Sequence, residues 1–148
     1  MATRFAVPTI PAADAKRSLP LYMDQARQHL LQIVTRHDRD EVAMLALADL
    51  RELLRDHHFE TDVAVHRGEA TVALPQFGIF GIGTAVDAAT DDLIEKLRAY
   101  AVQYLQRFEF YRQTDRRGLY PLVIRFLATP EAEQRALLLE PEAAPSVA

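Results

Sequence analysis

The residues at the amino end are the first in this chain whose type and spacing suggest a ligand. Lys16 and Arg17 are adjacent, Arg4 precedes them, and within the first seventeen residues only Asp14 opposes the three cations. Such side chains neutralise phosphates; phosphate contacts give affinity and position on a duplex, while base contacts give sequence choice. A solvated basic surface would need the same residues, and Arg27, Arg36 and Arg39, set beside turns, read simply as exposed charge. A second group is aromatic: Tyr100, Tyr104, Phe108 and Tyr111 recur at three- and four-residue spacing. That is the signature of a helix face turned to a core, or of a groove offered to a partner. Five histidines, His29, His37, His57, His58 and His66, raise the question of a metal. The adjacent pair would diverge on a helix, and with no cysteine and no compact acid-histidine cluster no ligand set is completed. Gly78, Gly81 and Gly83 fall short of a phosphate loop, because Val86 stands where the third glycine of G-x-G-x-x-G belongs and no G-K-[ST] follows. Tight turns and close backbone packing explain them better. Nucleophiles are scarce: there is no G-x-S-x-G, and the serines are Ser18 and Ser146. Neither an enzyme nor a cofactor is expected.

The elements that would carry these residues follow from local pattern. Residues 5–10 (FAVPTI) are strand-like, and residues 11–27 read as a helix interrupted or kinked at Pro20, whose ring clashes with the preceding turn. Two β runs, 30–36 and 41–47, flank His37-Asp38-Arg39-Asp40, four residues suited to a short hairpin. Residues 49–54 close the unit as an amphipathic helix. Further on, 61–66 and 70–75 flank Arg67-Gly68-Glu69 as a second hairpin. Residues 76–83 are apolar and glycine-rich, and Thr84 with Asp87 three residues later forms a capping-box start. The helix it opens carries Leu93, Leu97, Tyr100, Ala101, Tyr104, Leu105, Phe108 and Tyr111 on one continuous apolar face. Gly118 interrupts the helical course. Residues 119–127 form a helix entered through Pro121, or a strand, and Thr129-Pro130-Glu131 opens a last helix. The tail from about 141 is expected to be loose.

Three pieces of the first third, in order, resemble the Phd/YefM antitoxin family. Ala13-Asp14-Ala15-Lys16-Arg17-Ser18-Leu19 is similar to its S-E-A-R-x-N-L first helix; Ile33-Val34-Thr35-Arg36 with Val42-Ala43-Met44-Leu45 to its I-T-R-x-G-x-x-V-A-V-L hairpin; Ala48-Asp49-Leu50 to the start of its next helix. Lys16 stands where the family usually has Arg, a point charge in place of a bidentate fork, and Asp38 where it prefers Gly. Residues 74–88 also resemble, more distantly, the strand-to-helix passage of HicB-like antitoxin domains (P-x-L-P-G-x-x-x-x-G-x-T-x-x-E-A). The first resemblance implies a homodimer that binds operator DNA through Arg4, Lys16 and Arg17 and neutralises a RelE- or Doc-type toxin. It implies no catalysis and no cofactor.

Composition sets the frame. At 148 residues, 49% hydrophobic and 26% charged, the chain has room for one ordinary domain or two small lobes, and no apolar run is long enough to span a membrane. The absence of cysteine and of an apolar leader makes a cytoplasmic location the default expectation. Net charge is −4, which opposes nucleic-acid binding, but it is unevenly distributed: residues 1–57 hold eight cations and eight acids, and the remainder nine and thirteen. A local positive surface is therefore compatible with overall acidity, and a two-fold dimer would present it twice. RelE-type toxins are small basic ribonucleases, so an acidic second half offers charge complementarity, which speeds association more than it sets affinity.

The expected fold is α+β: a Phd/YefM-like β-α-β-β-α module over residues 1–58 for dimerisation and DNA binding, then over 59–148 a hairpin and a long helix with C-terminal helices. The second region is the expected toxin-binding part. Its candidate contacts are Tyr100, Tyr104, Phe108 and Tyr111, with Glu131 and Glu133 among the acids that also include Asp87, Asp91, Asp92, Glu95, Glu140 and Glu142. The competing expectation is a protein-interaction module that keeps the antitoxin-like fold and binds no DNA.

Overall fold

The computed structural model describes residues 4–37 and 39–139. It forms two compact units, Met1–Leu53 and Leu54–Ala148.

In the first unit, strand β1 (Thr9–Pro11) pairs parallel with β2 (Gln32–Arg36), which pairs antiparallel with β3 (Asp40–Met44). Parallel neighbours require a crossover, supplied by α1 (Ala12–Arg17) and α2 (Leu19–Arg27). β1 is shorter and later than the expected 5–10, because Pro8 brings no N–H to a ladder and restrains the residue before it. The helical break also lies earlier than expected, at Ser18. Pro20 can neither donate to the carbonyl of Lys16 nor let its ring pass it, so α1 stops at Arg17 and the proline is accommodated in the first turn of α2. α2 ends in a Schellman arrangement: His29 takes φ 69°, its N–H reaches Ala26 O at 3.0 Å, and Leu30 N reaches Gln25 O at 3.2 Å. The His29 ring meets the Asp49 carboxylate at 2.7 Å, tying this turn to α3 (Leu47–Leu54). The β2–β3 turn is tighter than expected, since Asp40 already pairs with Arg36, and Asp38 lies outside the described residues.

The second unit is a three-stranded antiparallel sheet, β4 (Asp62–His66), β5 (Glu69–Leu74) and β6 (Ile79–Gly83), covered on one face by α4 (Val86–Gln106). Arg67 (φ 49°) and Gly68 (φ 78°) form the two-residue turn between β4 and β5, the left-handed pair that suits strand twist. On β5, Ala70, Val72 and Leu74 point inward and are fully buried with Ala89, Leu93, Leu97 and Ala101 of α4. β6 replaces the expected turn region. Its inward positions include Gly81 and Gly83, where a Cβ would strike the α4 backbone, at 2.5 Å from Leu93 N and 2.5 Å from Ala89 N respectively. Glycine therefore sets how closely helix and sheet approach.

Three further details correct the sequence reading. The residue preceding α4 is Ala85, with no side-chain cap, so the Thr84–Asp87 capping box is not formed. The long helix ends at Arg107, and Phe108–Tyr111 is a separate turn, α5. Over seven residues a straight helix would carry Tyr104 and Tyr111 about 10 Å apart along its axis; the break lets their rings stack at 5.0 Å. Gly118 does not interrupt: it lies within a 3-10 turn, Asp115–Leu119, capped by the Thr114 hydroxyl, which accepts from Arg116 N at 3.1 Å. Residues 119–127 resolve as helix, α6 (Tyr120–Leu127), with Pro121 in its first turn. α7 (Glu131–Leu139) follows, and the Thr129 hydroxyl turns back to donate to Arg125 O at 2.7 Å, serving the end of α6. Leu122, Val123, Phe126 and Leu138 complete the core. The expected loose tail lies outside the described residues. The whole is α+β, as the sequence implied.

Candidate functional site

Lys16 and Arg17 occupy the last turn of α1, where cations also complement the helix dipole. Ala15 is buried against the unit, and successive residues turn by about 100° around a helix, so both cations point away from the packed face. Arg17 is held at 3.9 Å by Asp14, and both side chains are largely exposed. Arg27 pairs likewise with Asp24 at 3.9 Å. Arg36 meets Asp40 across the hairpin through Nε at 3.0 Å and Nη2 at 2.6 Å. Arg4 and Lys16 are exposed and have no acidic partner among the described residues. The structure thus brings Lys16 and Arg17 together, while Arg4 lies before β1.

The same unit is sparsely cored. Ile10, Ala15, Ala26 and Ile33 are its buried apolar residues, whereas Leu21 (54% exposed), Met23, Leu30, Val42 (63%) and Leu53 (70%) stand in solvent. Sequence reasoning passed over this surface, although the run Leu19, Leu21, Tyr22 and Met23 holds more apolar positions than one packed helix face can absorb.

In the second unit the aromatic residues form a single cluster. Tyr104 is wholly buried, and its hydroxyl donates to Arg116 O at 2.7 Å; burial, with Tyr100 close by, raises its pKa. Tyr100, Phe108 and Tyr111 are half-buried. Tyr100 meets Phe77 edge-on at 5.3 Å and stacks near Tyr104 at 6.2 Å, while Phe108 packs on Tyr120 at 4.7 Å. Arg116 anchors the cluster, with Nη1 donating to the Tyr100 hydroxyl at 2.6 Å and to Phe77 O at 3.3 Å. The Tyr100 contact raises the Arg116 pKa further. Nothing in the basic run 112–117 distinguishes this arginine from its neighbours.

The acids lie elsewhere. Exposed Glu131 is 3.5 Å from Arg98 of α4, and Arg98 and Tyr100 project about 200° apart on that helix. Glu133 is exposed on the first turn of α7, and Arg135 bridges Asp87 at 3.4 Å and Asp91. Glu131 and the aromatic cluster are therefore on opposite flanks of α4. Glu140 and Glu142 lie outside the described residues. Asp92 accepts from Ile82 N at 3.0 Å and from Lys96 Nζ at 2.9 Å; the backbone bond first and the lysine second lower its pKa. Among the described residues no group of three or more His, Asp or Glu is placed to hold a metal, and no helix is long and apolar enough to cross a membrane.

The sequence fits, over residues 7–140, the PHD-like family described as antitoxin of toxin–antitoxin, RelE/RelB systems. The chain belongs to that family and is an antitoxin of a toxin–antitoxin system. Its fold is similar to a crystal structure from Syntrophomonas wolfei subsp. wolfei, described as the antitoxin part of a proposed toxin/antitoxin system. The TM-score is 0.70 at 20% identity, over 88% of this chain and 96% of that one. Comparison with curated proteins finds no match.

Proposed function

We propose that this antitoxin is a cytoplasmic homodimer that binds operator DNA through its first unit, represses its own operon, and neutralises a RelE-type ribonuclease with its second. The observation that carries the reading is the incomplete core of the first unit. Leu21, Met23, Leu30, Val42 and Leu53 are exposed on a unit whose buried apolar residues are Ile10, Ala15, Ala26 and Ile33, and a second copy packed on them would extend that core. A two-fold then presents Arg4, Lys16 and Arg17 twice, as a palindromic operator requires. Toxin inhibition proceeds by occlusion. Tyr100, Phe108 and Tyr111 offer their exposed edges, Tyr104 supports them from within, and exposed Glu133 steers a basic partner. Glu131, paired with Arg98 on the opposite flank of α4 from the aromatic cluster, would have to leave that arginine to join the contact.

Gel-shift titration on the upstream DNA tests the operator surface. Each phosphate contact contributes about 0.9 to the slope of log affinity against log salt, so K16A/R17A in both protomers of a dimer should flatten that slope by about 3 to 4. An unchanged slope and affinity would place the DNA surface elsewhere. The acidic net charge of −4 favours one other reading, an interaction module without DNA binding. Capture of a basic toxin with no shift of upstream DNA at low salt would establish it.

A further inference from the structure

The two edges of the second unit's sheet are treated differently. In the tight β4–β5 turn His66 and Glu69 form the closing hydrogen-bonded pair, so His66, Ala64 and Asp62 bond inward to β5. Alternation then directs the backbone groups of Ala70, Val72 and Leu74 to β6, and leaves those of Phe80 and Ile82 on the outer edge of β6. That edge is closed by α4: Lys96 Nζ donates to Phe80 O at 2.9 Å, and Ile82 N donates to Asp92 at 3.0 Å. At the other edge the N–H and C=O groups of Val63 and Val65 face outward. Among the described residues nothing hydrogen-bonds to them, and every residue of β4 is exposed. Val63 and Val65 share the inward face with Val72 and Ala70, yet remain 49% and 68% exposed. An edge with free backbone groups and apolar side chains is a template for another strand, and proteins usually block such edges, as this one does at β6.

We propose that β4 pairs with β4 of a second copy, antiparallel, about a two-fold axis through Ala64. The strand Asp62-Val63-Ala64-Val65-His66 is complementary to its own reverse. Centring on Ala64 pairs all five residues, and moving the axis to Val63 or Val65 pairs only three. In this register Val63 and Val65 of one copy lie opposite Val65 and Val63 of the other, forming four backbone hydrogen bonds and two valine–valine pairs on the inward face. On the outward face each Asp62 carboxylate lies opposite the partner's imidazole at position 66. The two sheets become one of six strands. This contact is independent of the apolar surface on the first unit. If the two share one axis they reinforce a dimer; if they do not, they link dimers into larger assemblies.

Cysteine chemistry tests the register directly, because the chain has no cysteine of its own. Ala64 would face its symmetry mate as a non-hydrogen-bonded pair, with Cα atoms about 4.5 Å apart, inside the range a disulfide spans. Full-length A64C under mild oxidation should form a covalent dimer at least tenfold faster than E69C, an exposed control one strand away on the same face. Adding V65P removes an outward N–H without touching the bonds to β5, and should suppress the cross-link at least tenfold. Amide exchange on the wild type gives a second readout: Val63 and Val65 should gain protection as protein concentration rises. Equal cross-linking of A64C and E69C overturns the proposal. So does protection that is independent of concentration and lost when residues 140–148 are removed, which would give the edge to the chain's own tail. Amides that become protected only when toxin is added would give it to the toxin, and would equally refute self-pairing.

Discussion

Replacing Gly81 by alanine probes the principal contact of the second unit. The added methyl would fall on the carbonyl oxygen of Ala89, 2.5 Å from Leu93 N and 2.9 Å from Leu93 Cβ. Two of these are backbone atoms of α4, so no rotamer change relieves them. The helix must rise by about 1 Å to restore ordinary contact, and a gap of that size forfeits roughly a quarter to half of each dispersion contact it opens. Leu93, Leu97, Ala89 and Ala101, all fully buried, share the loss. Overpacking in a rigid core costs about 1–3 kcal/mol, and this site belongs at the upper end. At about 4–8 °C per kcal/mol for a domain of this size, a cost of about 3 kcal/mol means that G81A should lower the melting midpoint by about 12–24 °C. Tyr100, Tyr104, Tyr111 and Tyr120 all lie in this unit and Tyr22 is the remaining tyrosine, so near-ultraviolet circular dichroism follows the relevant transition. G118A is the control, since a methyl there meets nothing within 4 Å and the position has no positive φ. If G81A melted within about 3 °C of the wild type, corresponding to under about 1 kcal/mol, the close seating of α4 on β6 would be refuted.

Other consequences follow from single groups. Asp92 is depressed below its ordinary 3.8 by Ile82 N–H and then Lys96, so its contribution to stability is present above that value and is lost as pH falls through the lower, folded-state value. The D92N variant should lose less stability between neutral and strongly acid pH than the wild type, read by urea unfolding at each pH; an identical acid dependence would remove Asp92 from the account. Tyr104 has its pKa raised, chiefly by burial, so folding favours the protonated ring up to the ordinary 10.0 and that advantage disappears as pH rises through the folded-state value. In ultraviolet titration one tyrosine should ionise after the rest, and Y104F should abolish that late step while leaving the Arg116 carbonyl without its donor, at about 1 kcal/mol. If the first unit completes its core with a second copy, its unfolding should gain about 2.7 kcal/mol per hundredfold rise in concentration, whereas a midpoint fixed from 1 to 100 µM would mean that it is stable alone.

How much of this was legible in the sequence depends on where side chains, as opposed to backbone, make the structure. Both hairpins were visible because their turns carry Asp38 and Asp40 in one and Gly68 in the other; that His37 and Arg67 also take positive φ was not legible from their type. β6 was not. Its inward positions are Ile79, Gly81 and Gly83, and its outward positions are Phe80 (50% exposed) and Ile82, so the usual alternation of apolar-in and polar-out is inverted. Two glycines in five residues look like a loop, yet here the α4 backbone occupies the space their side chains would fill. The break at Arg107 was hidden for a related reason: the aromatic spacing continues through Tyr111, and only ring stacking between Tyr104 and Tyr111 shows that the axis must turn. The cations of α1 were legible by type, but their pairing was not, because Arg17 and Asp14 could equally have pointed apart.

Net charge alone misrepresents such a chain. In the first unit Arg17, Arg27 and Arg36 lie beside Asp14, Asp24 and Asp40, which leaves Arg4, Lys16 and Arg39 without acidic side-chain partners among the described residues. In the second, Asp92 is matched by Lys96, Glu131 by Arg98, and Asp87 with Asp91 by Arg135. Charges separated by more than about 10 Å are largely screened at 0.1 M salt, so a ligand senses the local remainder and not the total. By that measure Lys16 carries more of any phosphate attraction than Arg17, whose guanidinium already has an anion beside it. A duplex would have to draw Arg17 away from Asp14, while the acid that repels it stays three residues from Arg17 on the same helix. The proposed operator surface is thus compatible with the acidic total, because pairing within each unit confines the field to short range.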